Sequence, residues 1–204
     1  MTNRVRKPRG EYAKTRERRQ EILDAAVEVF SAAGFHKGSL RDVADKVGLS
    51  QADLLHHFPS KEQLLQAVLT RRDDDARARL SVGEPPPVGV DLLRALVNLA
   101  AYNASTPDLV ELHVILSAEG TCADHPIHDY LVARSTEVLD LVRGAFLHAE
   151  AHGQLQPGVD CASAARTLLA LMDGLQVQWL MHRDDVDMAG DLARYLRSLL
   201  SVEL

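Results

Sequence analysis

Apolar side chains recur every third or fourth position along most of this chain, and the strict alternation that a half-buried strand needs is missing. A period between three and four places side chains on one face of an α-helix. The first clear stripe is Ile22, Ala26, Val29, Phe30 and Ala33, which predicts a helix over 14–33 closed by Gly34, since a glycine readily leaves a helix in the left-handed conformation. A second helix starts after Ser39, an N-cap with Asp42 three residues on, and carries Leu40, Val43, Ala44 and Val47 until Gly48 breaks it. Ser50 caps a short third helix over 51–57, Pro59 and Ser60 punctuate, and a fourth helix runs over 61–80. Residues 81–89, with three consecutive prolines, form the clearest loop. Five more helical periods follow, over 90–105, 107–119, 126–152, 160–182 and 185–201, bounded by Pro107, Pro126, Pro157 and the Asp184-Asp185 pair. The pattern predicts an all-α protein of about nine helices.

Composition supports this and narrows it. Hydrophobic residues make up 46% of the 204, enough for a real core, while aromatics are only 4%, which favours helix over strand. No apolar run is long enough to span a bilayer. The first ten residues are basic and polar rather than a secretory leader. Cys122 and Cys161 stand far apart and read as free thiols of a cytoplasmic protein.

The net charge of −6 hides an asymmetry: residues 1–61 hold 12 Lys/Arg against 8 Asp/Glu, and residues 62–204 hold 11 against 21. A basic end on an acidic body is the layout expected when one end meets a polyanion. By itself the basic run fits a merely solvated tail equally well. The expected organisation is a basic disordered arm over 1–13, a helix-turn-helix head over 14–60, and a ligand-binding and dimerisation body over 61–204.

The segment from Leu40 to Phe58 meets the steric needs of a helix-turn-helix. Two helices must cross closely through a turn of about three or four residues. Ala44 supplies the small side chain at the crossing, Gly48 the turn, and Val43, Leu49 and Leu54 the inward positions.

At this point the chain resembles a known family. Residues 15–69 are similar to the DNA-binding head of the TetR family, through Ile22-Leu23-Asp24-Ala25-Ala26, Phe30, Gly34-Phe35, Ser39-Leu40-Arg41-Asp42-Val43-Ala44, Gly48-Leu49-Ser50 and the stretch from His56 to Leu65. The resemblance implies a homodimer on a palindromic double-stranded DNA operator, with one third helix in each of two successive major grooves. It implies recognition by Gln51, Ala52, Asp53, Leu55 and His56 on a helix begun by Ser50, and phosphate contacts from Thr15, Ser39, Arg41, His57 and Lys61. Gln51 has the amide that pairs with adenine. Two positions depart from the family's pattern: Leu55 stands where a tyrosine is common, and Asp53 where a small or neutral residue is common. Asp53 would repel phosphate unless it accepts from cytosine or caps its helix, and capping is the preferred reading.

In the body, the helix over 160–182 is apolar on two stripes. The family pairs its last two helices with their twofold mates, which points to Leu168, Leu171, Leu175, Leu192, Leu196 and Leu199 as dimer contacts; the alternative is that these stripes are core of one subunit. Polar or large residues on otherwise apolar helices are candidates for an effector pocket: Tyr102, Asn103, His113, Glu119, Arg134, Met172, Gln176 and Trp179. For any single one, packing is the competing reading, most of all for Trp179 and His113. Glu119, Cys122, His125 and His128 are metal-capable ligands at a spacing that is not a strong zinc signature, so no metal or cofactor is assigned. There is no Gly-rich phosphate loop, Gly-x-Ser-x-Gly elbow or His-Glu-x-x-His. The sequence therefore reads as a non-enzymatic, ligand-responsive regulator, most simply a repressor released by a small molecule. A metal- or thiol-responsive regulator, and an adaptor that has lost DNA binding, are the alternatives.

Overall fold

The computed structural model describes residues 9–82 and 85–204, with side chains from Lys14 onward. Nine helices are found among the described residues: α1 (Arg9–Lys37), α2 (Leu40–Lys46), α3 (Gln51–His57), α4 (Lys61–Leu80), α5 (Gly89–Ala104), α6 (Pro107–Glu119), α7 (His128–Ala151), α8 (Cys161–Met181) and α9 (Met188–Leu199). The described residues contain one isolated β-bridge, Leu155 with Leu200, and no longer strand. They also contain no helix long and apolar enough to cross a membrane.

Two boundaries differ from expectation. Residues 1–8 of the expected arm lie outside the described residues, but from Arg9 the backbone is already helical. Charged, unbranched side chains favour helix, so a basic run need not be irregular. At the other end of α1, Gly34 takes φ 68° and ψ −179°, and one more turn, Phe35 to Lys37, follows the break.

The chain divides into two compact units, one ending at Thr70 and the other running over Arg71–Leu204, with the boundary inside α4. The first unit buries Ile22, Phe30, Val43, Leu54, Phe58 and Leu64. Its glycines are needed for geometry. Gly48 sits at φ 65° in the turn between α2 and α3, where the Leu49 amide donates to the Ala44 carbonyl at 2.9 Å. A Cβ on Gly38 would lie 2.9 Å from Phe30 and 3.0 Å from the Gly34 carbonyl.

The second unit is a helical layer structure in which α5 packs on α7 and α9, and α8 on α7, α6 and α9. Leu93, Leu96, Phe146, Leu168, Leu192 and Leu196 form its centre. The chain leaving α7 is tied to the end of α9 by Gln156 N–H to the Leu199 carbonyl at 2.8 Å and Ser201 N–H to the Gln154 carbonyl at 2.9 Å. Leu168, Leu175, Leu192 and Leu196, expected as dimer contacts, are buried in this core, and Leu171 and Leu199 pack partly buried against it. Four of the six are thus covered within one chain, while Leu171 and Leu199 keep part of their surface. Large aliphatics carry the most burial free energy, so they go to the interior first.

Candidate nucleic-acid interface and interior cavity

The helix α3 is held by contacts at both ends. At its start, Ser50 caps: its Oγ accepts from the Asp53 amide at 3.1 Å and meets Asp53 Oδ2 at 2.6 Å. Asp53 thus serves its own helix. The Ser50 hydrogen bond is the main reason its carboxyl titrates below the usual range, with smaller help from His56 and His57. At the other end, Arg19 of α1 donates to the His57 carbonyl at 2.7 Å and lies 4.0 Å over the Phe58 ring. Arg18 donates to the Val47 carbonyl, the C-cap of α2, at 3.3 Å. Cations at helix C-termini satisfy carbonyls that the helix cannot. In the sequence these two arginines are distinguishable only as members of the basic run. In the fold they pin the helix-turn-helix to α1.

Only Leu54 of α3 is buried; Gln51, Ala52, Asp53 and His56 are exposed, and Leu55 and His57 are half-buried. The exposed four share the outer side of a short rod with a fixed cap. The expected phosphate holders differ in their engagements. Ser39 is the N-cap of α2 in a reciprocal capping box with Asp42. Lys61 lies 4.3 Å over the Phe35 ring and donates to the His36 carbonyl at 3.4 Å. Arg41 and Thr15 are exposed, Arg41 with Asp45 at 4.0 Å.

The second unit contains a cavity in two compartments. The inner one, about 90 Å³, gathers Tyr102, Asn103, His113, Arg134, Met172 and Gln176, six of the eight sequence candidates. The outer one, about 530 Å³, is walled by Leu80, Pro87, Leu92, Leu96 and Leu141 among others. Both share Ala76, Leu99, Arg134, Val138 and Met172. Glu119 and Trp179 line neither: Glu119 lies 3.7 Å from His125, and Trp179 is buried in the core with Arg183 over its ring.

Between the compartments stands an ionic cluster in which Arg134, a sequence candidate, is joined by Arg72, Asp73 and Tyr130. Asp73 of α4 is 7% exposed. Its carboxylate accepts from Arg134 Nε at 2.8 Å and from the Tyr130 hydroxyl, and Arg72 lies 3.6 Å away. Burial is the main cause that pulls the Arg72 guanidinium down to about 10, with Arg134 adding repulsion. Burial first, then the bond to Asp73, pushes the Tyr130 phenol up. His113 is driven down to about 4, chiefly by burial and then by Arg72, against the opposing bond to Asp173. It is therefore neutral at pH 7. The tautomer with Nε2–H fits its partners, donating to Asp173 Oδ1 at 3.4 Å and accepting from Ser117 Oγ on Nδ1 at 3.4 Å. The cluster has a signal in the sequence: Leu65, Leu69, Ala76 and Leu80 form an apolar stripe, and Arg72 and Asp73 occupy its missing turn.

The metal-capable quartet does not converge. His128 Nδ1 meets the Gly120 carbonyl at 2.9 Å, Cys122 is exposed, and no three His, Cys, Asp or Glu among the described residues could hold an ion together.

Comparison with known proteins gives the same division. Residues 22–68 match the family described as "Bacterial regulatory proteins, tetR family", and residues 92–201 match "BetI-type transcriptional repressor, C-terminal". The chain belongs to the TetR family. It is a DNA-binding transcriptional regulator of the helix-turn-helix type. The HTH-type transcriptional regulator TtgR of Pseudomonas putida is 30% identical over 191 residues, covering 88% of each chain. Among solved structures of this fold, SmeT of Stenotrophomonas maltophilia in complex with triclosan superposes with a TM-score of 0.73 at 22% identity, over 91% of this chain and 92% of that one. A regulator from Saccharomonospora viridis in complex with choline gives 0.71 at 24% identity, over 92% and 100%.

Proposed function

We propose that this TetR-family protein is a repressor that binds a palindromic operator as a homodimer and is released when a small molecule fills the cavity of its second unit. The observation that carries the reading is the placement of α4: its first half belongs to the head, and its second half supplies Arg72, Asp73 and Ala76 to the cavity walls. An effector that prefers one position of α4 changes the population of DNA-competent heads by its differential affinity. The complexes of two fold neighbours, with triclosan and with choline, agree with a small-molecule ligand without naming the one here.

On α3, Gln51, Ala52 and His56 are the proposed base-reading residues, with Leu55 in apolar contact at the groove wall. Arg41, Thr15 and the end of α3 at His57 are the proposed phosphate contacts, and Lys61 joins them by keeping its charge at the start of α4.

For the dimer, α8 offers a different stripe from the leucines. Thr167, Ala170, Val177 and Met181 are exposed, and Gly174 between them has open space where a Cβ would stand. Their spacing alternates three and four, the repeat of a close helix–helix seam. The test is gel-shift titration with DNA from upstream of the protein's own gene, alongside sedimentation. A dimer that shifts this duplex and not a scrambled one is expected, and Ala170→Arg should give monomers that no longer shift it. A wild-type monomer, or equal binding to both duplexes in dilute buffer, rejects the reading.

A further inference from the structure

Two buried polar groups at the inner compartment are incompletely partnered, and they are complementary to one kind of head group. The Arg72 side chain is 12% exposed, and the Asp73 carboxylate lies 3.6 Å from it, beyond hydrogen-bond length. That carboxylate is already occupied by Arg134 and Tyr130. The second group is Gln176 of α8, 6% exposed. Its Nε2 donates to the Met172 carbonyl at 3.4 Å, while its Oε1 is buried with no hydrogen-bond partner. A guanidinium asks for an anionic acceptor, and an orphan amide oxygen asks for a donor.

The other charges do not reverse this. Asp75 and Asp173 also line the compartment, but both are exposed, and Asp173 is bonded to His113. Water screens exposed carboxylates far better than buried guanidiniums. A quaternary ammonium is poorly served. It binds aromatic faces, and the aromatic ring of this compartment, Tyr102, already has the Arg79 guanidinium 3.2 Å from its centroid. Beyond the polar end, the larger outer compartment offers Leu80, Pro87, Leu92, Leu96 and Leu141 to an apolar tail.

We infer that the effector is an amphiphile with a carboxylate head and an adjacent hydroxyl, seated with the carboxylate on Arg72, the hydroxyl on Gln176 Oε1 and the tail in the outer compartment. This rests on the reading of the second unit as a ligand sensor. The recognised chemistry is a hydroxy acid on a medium-length hydrocarbon, and it differs from the choline held by one fold neighbour.

The test is calorimetric titration of the full chain with three probes of equal tail: 3-hydroxydecanoate, decanoate and decyltrimethylammonium. The expected order is hydroxy acid, then acid, with the cation silent. Arg72→Met should weaken both acids by about tenfold or more, the usual worth of a charged hydrogen bond. Gln176→Leu should remove the advantage of the hydroxyl and leave decanoate where it was. Arg72→Lys is the second variant if Arg72→Met melts early; it keeps the charge without the fork and should fall between. The inference is overturned if the cation binds as well as the acids, if neither acid binds, or if Arg72→Met changes nothing. The same probes added to a protein–operator complex separate the two readings. Acid binding that follows the expected order but leaves the complex intact upholds the head-group assignment and sinks ligand-triggered release. Release by the cation alone does the reverse.

Discussion

In the unit ending at Thr70 the side chains proposed to work face outward, and the caps that fix their helices are local: Ser50 with Asp53 and Ser39 with Asp42. In the unit beginning at Arg71 the side chains proposed to work face inward, and their partners come from distant parts of the chain: Asp73 with Tyr130 and Arg134, His113 with Asp173. The difference is physical. A DNA-reading surface needs rigid presentation and leaves its donors to a polyanion. A buried sensor must keep charges out of water, and it can do so only by pairing them across helices. The first unit should therefore tolerate changes in its exposed residues with little loss of stability, while the second should not.

The sharpest test of that contrast is Asp73→Ala. It leaves Arg72, 12% exposed, and the partly buried Arg134 without their carboxylate, and a loss of about 3 kcal/mol is expected from breaking such a cluster on one side. Hydrogen exchange should place the loss in the second unit; a change under about 1 kcal/mol would put Asp73 with ordinary surface carboxylates.

Next comes pH. His113 is neutral in the folded chain, with its pKa at about 4 against 6.5 for a free histidine. The unfolded chain therefore binds the extra proton first as pH falls. Stability is fully present above about 6.5 and declines between there and 4, by about 2 kcal/mol at pH 5. Denaturant midpoints at pH 7.5 and 5 should show this, and His113→Phe should flatten the difference. An equal slope in that variant would assign the pH effect elsewhere.

Gly38→Ala tests the head's own packing. The added methyl meets Phe30 and the Gly34 carbonyl, and about 1.5 kcal/mol of destabilisation is expected from overpacking of this kind. The melting of the head reads it directly.

Arg19→Ala is smaller, about 1 kcal/mol for an exposed charge-assisted bond. Its more informative readout is the salt dependence of DNA binding. Affinity should fall as the end of α3 loosens, with the slope unchanged; a slope lower by about one unit would make Arg19 a phosphate contact instead.

The smallest effect is Asp53→Asn. Removing an exposed negative charge from the DNA-facing helix should strengthen operator binding roughly two- to fivefold in dilute salt, and less as salt rises. Weaker binding at every salt concentration would mean that the carboxylate reads a base.

Much of this is legible in the sequence, unevenly. Helix limits follow from the apolar period and from Gly34, Gly48 and the prolines, because those signals act within one turn of chain. The early start of α1 escapes a reading of its first residues by charge, because helix propensity decides it. Six cavity residues stand out as polar or bulky positions on apolar helices. Glu119 and Trp179 satisfy the same rule, which says where a residue is unusual and not which void it faces.

What the sequence alone determined is therefore the set of elements, the helix-turn-helix and the family, all carried by local spacing and caps. Tertiary structure decided the rest. It buried Leu168, Leu175, Leu192 and Leu196 within one chain and left Thr167, Ala170, Val177 and Met181 of α8 exposed. It made Arg18 and Arg19 into clamps on helix ends, and it joined Asp73 to side chains some sixty positions away. A local pattern specifies which side of a helix is apolar. Only the packed chain specifies which neighbour that side meets, because the free energy of burial is shared among all the helices at once.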